Sequence, residues 1–185
     1  GYRRLNGTTK YNSTIVPQTI SAADRIQMSA IFNNKIVAAR GGTVYYGGTT
    51  GSWTSLATSQ GATNTYDFDK FNFSGTSKIV IATGEAAAFT VDTSFNVDVI
   101  NATGGGTAPT NPKFVKTFAN HVFYGGMSNS THSILFSVPF SEDNFTSASG
   151  AGEIRVGDVV TGLKVFRDEL FIFCQRKIYK LTGTT

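Results

Sequence analysis

The sequence has little cysteine, histidine and charge, and it has no long apolar run. Of its 185 residues one is cysteine and two are histidine, and charged residues make up 15%. A single cysteine excludes an internal disulfide framework and a zinc site built from cysteines. Because no stretch of 18 apolar residues occurs, we expect no membrane-spanning helix. With 40% apolar residues, the composition also differs from that of disordered chains.

What the sequence does contain favours a β-rich domain. The chain is long enough for one domain with a substantial core, and its 20 glycines and many Ser, Thr and Asn residues supply turns. The chain begins at Gly1 rather than Met, so a fragment or a processed product remains an open alternative.

Near the end of the sequence, residues 162–183 hold three short apolar runs parted by polar corners. The runs are Leu163–Phe166, Leu170–Cys174 and Ile178–Leu181. Short runs rich in Ile, Val, Phe and Tyr between tight turns predict an antiparallel meander. Because the middle run is apolar throughout, we expect it to be a central strand covered on both faces, with Cys174 as a buried, inert thiol.

The same unit occurs three times upstream, which predicts a repeat fold. The corner residues Asn34, Ser77, Asn120 and Asp168 follow one another at intervals of 43, 43 and 48 residues. In three units a phenylalanine lies two residues before this corner: Phe32, Phe118 and Phe166. Four strands in a period of 40–50 residues are the signature of β-propeller blades. An ordinary β-sandwich is the alternative.

We therefore predict an all-β fold, a β-propeller-like array of about four four-stranded antiparallel blades. The predicted units are 26–63, 64–108, 109–158 and 159–185, after an N-terminal arm at 1–25. The last unit has no fourth strand of its own. Ser13–Val16 in the arm can complete it, or the chain is part of a larger propeller.

The pattern also gives finer expectations about strands and core. The second unit is expected to open with Phe71–Phe73, and the third to end near Phe145, after a long corner at 125–133 and before an insertion at 147–157. The predicted core positions are Phe32, Ile36, Phe118, Phe166, Leu170 and Ile172.

No catalytic or metal-binding pattern emerges from the polar residues. His121 and His132 lie in no metal-ligand motif, and the carboxylates fall mostly at corners, where they satisfy turn backbone groups. The glycine pairs do not open helices and so predict turns instead of phosphate loops. We expect no enzyme activity, no cofactor and no metal.

The basic residues suggest a diffuse electrostatic role at most. The net charge is +4, and the candidate DNA-facing residues are Arg3, Arg4, Lys164, Arg167, Arg176 and Lys177. No recognised nucleic-acid module contains them, so any DNA contact is expected to be independent of sequence. Solvated strand corners are the alternative. Trp53, with Tyr45 and Tyr46 close in sequence, offers a sugar platform or a core position.

Residues 159–183 resemble a segment of the tail hub, packaged-DNA-stabilisation and tail-nozzle (tubular B) proteins of short-tailed bacteriophages. The resemblance is carried by Phe166-Arg167-Asp168, by the apolar strand Leu170–Cys174 and by Ile178–Gly183; the opening Gly1-Tyr2-Arg3-Arg4 is similar to the segment that precedes the propeller in these proteins.

This resemblance implies a structural component of a tailed-phage virion, a head-to-tail connector, tail hub or nozzle, assembled in the bacterial host cytoplasm. It implies a homo-oligomer that contacts other virion proteins and lets packaged DNA pass without sequence specificity. The alternative function is a carbohydrate-binding or protein-interaction β-propeller.

Overall fold

The computed structural model describes residues 10–17 and 25–183, which form four antiparallel sheets in chain order. Blade 1 contains β1 Ile26–Phe32, β2 Lys35–Arg40, β3 Thr43–Gly47 and β4 Thr54–Ala57; blade 2 contains β5 Asp67–Phe71, β6 Lys78–Ala82, β7 Phe89–Asp92 and β8 Val97–Val99. Blade 3 contains β9 Phe114–Phe118, β10 His121–Met127, β11 Ser130–Phe136 and β12 Gly152–Arg155; blade 4 contains β13 Val160–Phe166, β14 Glu169–Cys174 and β15 Ile178–Thr182.

Each sheet is a meander in which every strand pairs with the next one along the chain. Within each blade the strands are joined by connections of two to six residues, except between β11 and β12, where residues 137–151 intervene. Connections of two to six residues favour antiparallel pairing of consecutive strands. The predicted all-β, propeller-like array of about four blades is confirmed, and each sheet lies within one predicted unit. Within the described residues, blade 4 has three strands where the other blades have four.

Two strands differ from the sequence prediction. The first strand of blade 2 is Asp67–Phe71, not Phe71–Phe73, because Asp67 and Asp69 are held in extended conformation by bonds to blade 3. The last strand of blade 3 is Gly152–Arg155, within the predicted insertion. The expected long corner at 125–133 is also wrong, since β10 and β11 extend into it and leave a two-residue turn.

A phenylalanine ends the first strand of all four blades. Phe32, Phe71, Phe118 and Phe166 each lie opposite the first residue of the second strand. Phe71 was not found from the sequence pattern because the corner between its strand and the next is six residues long, whereas the other three corners have two residues. In blades 1 to 3 this side chain packs against the following blade and is 4%, 8% and 9% exposed.

Three apolar clusters join the four blades in sequence. One contains residues of blades 1 and 2, the next joins blades 2 and 3, and the last joins blades 3 and 4. Ile79, Tyr124 and Leu170 are fully buried, one in each cluster. Among the described residues, none of these clusters joins blade 4 to blade 1. The array is therefore an open arc with two end faces.

The described part of the arm lies on blade 1. The Trp53 indole donates to the Thr14 carbonyl at 3.0 Å, and the Arg40 guanidinium donates to the Val16 carbonyl at 2.8 Å. The Asn12 amide donates to the Gly48 carbonyl at 2.9 Å. Ser13–Val16 thus lies against blade 1 and belongs to none of the four sheets, so these residues do not complete blade 4.

Carboxylates fasten the linkers between blades. Glu85 of blade 2 accepts hydrogen bonds from the backbone N–H groups of Thr63 and Asn64 in the linker before it, at 3.0 and 2.7 Å. Asp143 accepts from three successive N–H groups of the linker between blades 2 and 3. Asp158, before blade 4, accepts from the Arg176 N–H at 2.9 Å. These carboxylates have structural partners, as expected for corner residues.

The loss of stability caused by Glu85→Gln should depend on pH, because the charged carboxylate holds the linker by hydrogen bonds. Burial alone would raise the pKa of Glu85, but hydrogen bonds from Thr63 and Asn64 outweigh it and hold the pKa below its usual value. The stabilisation is therefore present above the unfolded-state pKa and is lost as the pH falls through the lower folded-state pKa.

We expect Glu85→Gln to lower the free energy of unfolding by about 2 kcal/mol at neutral pH, measured by urea denaturation. The difference from the wild type should shrink between about pH 5 and about pH 3. Glu153→Gln is the control, because Glu153 makes a surface pair with Arg155 at 3.7 Å and a long hydrogen bond from the Ser130 hydroxyl at 3.4 Å, and no bond to a linker backbone. A constant difference at all pH values would contradict the role of the charge.

Candidate functional site

The most distinctive surface of the arc is the free end of blade 4, which we call the forward face. Residues of the three strands alternate between the side that packs on blade 3 and this outer side. The outer side carries Phe166, Phe171, Phe173, Ile178, Lys164 and Lys180, and the inner side carries Leu163, Leu170, Ile172 and Leu181. Three of the outer apolar side chains, those of Phe166, Phe173 and Ile178, are exposed.

Two predictions for blade 4 are wrong. Phe166 was expected in the core but is 57% exposed, because the position that buries Phe32 and Phe118 against a following blade has no such neighbour here. The middle strand was expected to be covered on both faces, yet Phe173 is exposed on the outer side. The other predicted core positions, Phe32, Phe118, Leu170 and Ile172, are buried as expected, and Ile36 is half-buried.

The forward face combines apolar area with positive charge. The Arg167 guanidinium lies 5.2 Å from the centre of the Phe166 ring, a cation–π contact. Lys180 pairs with Glu169 at 2.7 Å on the same face. Lys164 is exposed on the first strand and has no ion pair among the described residues. We call Lys164, Arg167 and Lys180 the cationic margin of the forward face. A partner for this face needs a complementary apolar surface that can lie beside these positive charges.

The six candidate DNA-facing residues do not gather at one site. Arg3 and Arg4 lie outside the described residues. Lys164 and Arg167 lie on the forward face and at its β13–β14 corner, whereas Arg176 and Lys177 lie at the β14–β15 corner, at the other end of the strands. Arg176 is 3.8 Å from the Asp158 carboxylate.

The inner edge of the arc carries both signs of charge. Its first strands line a cleft of about 470 Å³ with Asp67, Asp69, Lys116 and Lys164. The Lys116 ammonium donates to the Asp67 carboxylate at 2.6 Å, and Asp69 accepts from the Thr117 N–H at 2.7 Å. Sequence analysis missed these inter-blade contacts because aspartate is uncommon in strands.

His121 and Cys174 lie in structural surroundings. The described residues contain no group of three or more His, Cys, Asp or Glu side chains that could hold a metal ion. His121 contacts the Ser137 carbonyl and packs against the ring of Phe136. Cys174 is buried as expected, and burial raises the pKa of its thiol. No helix in residues 10–17 and 25–183 has the length and apolarity to cross a membrane.

The aromatic residues around Trp53 do not form one sugar platform. The Trp53 ring lies against Gly47, where an added Cβ would meet its Cε3 atom at 2.7 Å. Tyr45 and Tyr46 point to opposite faces of β3. The first is buried, and the second stacks on Phe95 with ring centres 4.1 Å apart. Trp53 is thus engaged by blade 1 and the arm.

Comparison with known proteins yields structural likenesses only. No family model matches the sequence, and no curated protein matches it. Among solved structures, BamB from Moraxella catarrhalis is similar with a TM-score of 0.49 and 10% identity over 82% of this chain and 42% of that one. A structure of BBS1N in complex with ARL6DN gives a TM-score of 0.47 and 8% identity, covering 80% and 48%. The chain spans less than half the length of either.

Equivalent phenylalanines should differ sharply in their contribution to stability. Phe118→Ala removes a side chain buried between blades 3 and 4, and we expect it to lower the free energy of unfolding by about 3–5 kcal/mol. Phe166→Ala removes the equivalent side chain from an exposed position and should cost about 0.5 kcal/mol or less. Urea denaturation of both variants measures the difference. Similar losses would show that the forward face is covered within the chain.

Proposed function

We propose that this chain is a non-catalytic assembly module that acts by packing another β-structure on the forward face of blade 4. The observation that carries the proposal is the exposure of Phe166, whose three equivalents are all buried against a following blade. A blade-like sheet needs apolar contacts on both faces, and here one face lacks them. Exposed apolar area of this kind marks protein interaction sites.

The biological setting we propose is the virion of a tailed phage, as a connector, hub or nozzle component. The support is the resemblance of residues 159–183 to tail hub and tail-nozzle proteins, in which ring assembly is the function. The segment that carries the resemblance is also the one that forms the open blade. Labelling of purified particles with an antibody against this chain, viewed by electron microscopy, tests the setting; label at the head–tail junction or tail is expected.

Contact with passing DNA, if the chain lines a channel, would be electrostatic. The inner edge presents Asp67 and Asp69 beside Lys116 and Lys164, so it is not a uniformly basic surface. A surface of mixed charge is consistent with a channel lining that binds DNA weakly and without sequence specificity. The sugar-binding alternative has no observation in its favour, because Trp53 is engaged by the arm.

Site-specific cross-linking tests the assembly surface directly. A photo-reactive phenylalanine analogue at Phe173, in the full-length gene product in its native particle or cell, should form a cross-link to a protein partner. The same analogue at Phe140, which is also an exposed phenylalanine but lies outside blade 4, is the control and should not. Equal cross-linking at both positions, or none at Phe173, would contradict the proposal.

A further inference from the structure

We propose that the forward face of blade 4 binds the first strand of blade 1 in a second copy of this chain, so that arcs join head to tail. This inference rests on the proposed function and names its partner. It follows from a second repeated position, the residue immediately before the phenylalanine that ends each first strand. Those residues are Ile31, Lys70, Thr117 and Val165.

In blades 2 to 4 this second position always contacts the preceding blade. The Lys70 ammonium donates to the Ile31 carbonyl of blade 1 at 3.0 Å. Thr117 donates through its N–H and its hydroxyl to Asp69 of blade 2, both at 2.7 Å. Val165 packs in the cluster that joins blade 4 to blade 3. Each interface inside the chain therefore sets this position of one blade against the blade before it.

At blade 1, no sheet of the described residues precedes this position. Its residue is isoleucine, and Ile31 is 70% exposed. Ile26, on the same strand, is also exposed. Within residues 10–17 and 25–183, no following blade covers Phe166 and no preceding blade covers Ile31. A second copy would supply both neighbours.

The described part of the arm, residues 10–17, bonds to other elements of blade 1. Within these residues its hydrogen bonds go to Gly48, Gly51, Trp53 and Arg40, on β2 and on the loop before β4, and none of them goes to β1. At the two later interfaces the first strand of one blade meets several strands of the blade before it: β9 contacts β5 and β6, and β13 contacts β9, β10 and β11. The exposed β1 is therefore the element that an incoming blade 4 would meet.

The direction of the contact is fixed by the repeat. Every interface within the chain joins the forward face of one blade to the opposite face of the next, so its continuation is heterologous. Pairing of two forward faces about a two-fold axis would instead bring together two surfaces that each carry Lys164 and Lys180.

Salt separates this association from nucleic-acid binding. Burial of the exposed Phe166 and Ile31 side chains supplies the attraction between the two ends, and this attraction does not depend on screened charges. Head-to-tail association should therefore persist at high salt, whereas nucleic-acid binding would weaken.

Sedimentation velocity of the wild-type chain and two end variants tests the inference. Phe166→Glu blocks the forward face, and Ile31→Glu blocks the blade 1 end. We expect concentration-dependent species larger than 19.8 kDa for the wild type, and self-association weakened roughly 30-fold or more for each variant alone. A mixture of the two variants retains one intact interface and should give a complex of twice the chain mass and no larger one.

Other outcomes would overturn the inference in distinguishable ways. Association of Ile31→Glu alone at wild-type strength means that forward faces pair with each other. A wild-type chain that stays monomeric at both low and high salt would exclude a second copy as the partner of the forward face. The proposed assembly function would then still be tested, independently, by cross-linking at Phe173. Salt-sensitive binding of a fluorescent single-stranded oligonucleotide by that monomer, lost in Phe166→Glu, would identify nucleic acid as the ligand of the forward face.

Phe140→Glu is the matched control for both end variants, and circular dichroism confirms folding of each variant.

Discussion

The packing of one phenylalanine per blade onto the following blade is the constraint on which this structure depends. A sheet of three or four strands is too small to be stable unless one of its faces is buried by a neighbour. In this arc Phe32, Phe71 and Phe118 occupy the equivalent place in three successive interfaces. The stability of such an array is close to a sum of blade and nearest-neighbour terms. Among the described residues, blade 4 packs on blade 3 alone, so its outer face is the surface where a further contact would add stability.

The sequence was enough to predict the class of fold and the strand order because both are written in local patterns. The alternation of apolar residues and the recurring polar corners depend on residues a few positions apart. The fourth strand of blade 3 was harder to find. Gly152–Arg155 is short, contains one apolar side chain, Ile154, and lies fifteen residues beyond the third strand. The strand at Asp67–Phe71 was missed because its carboxylates accept hydrogen bonds from blade 3, which is remote in sequence.

The exposed surface could not be predicted from the same patterns. Phe166 occupies the same place in its repeat as Phe32, and nothing within the unit indicates whether another blade follows. Burial at such a position is decided by a neighbour that is remote in sequence. The basic residues illustrate the same limit, because Arg167 and Arg176 are close in sequence but lie at opposite ends of the strands. Their common charge therefore does not create a common site.

Among the described residues, two surfaces of blade 4 have no neighbouring strand or sheet, and they differ in how well they are protected. The edge strand β15 has five residues, carries Lys180 and is followed by Gly183. Short length and a lysine are features that discourage the addition of a further strand. On the forward face the Arg167 guanidinium lies over the Phe166 ring, but Phe166 and Ile178 are both still exposed. Association through the face would also extend the stacking already present between blades 3 and 4. The face is therefore the better candidate for assembly than the edge.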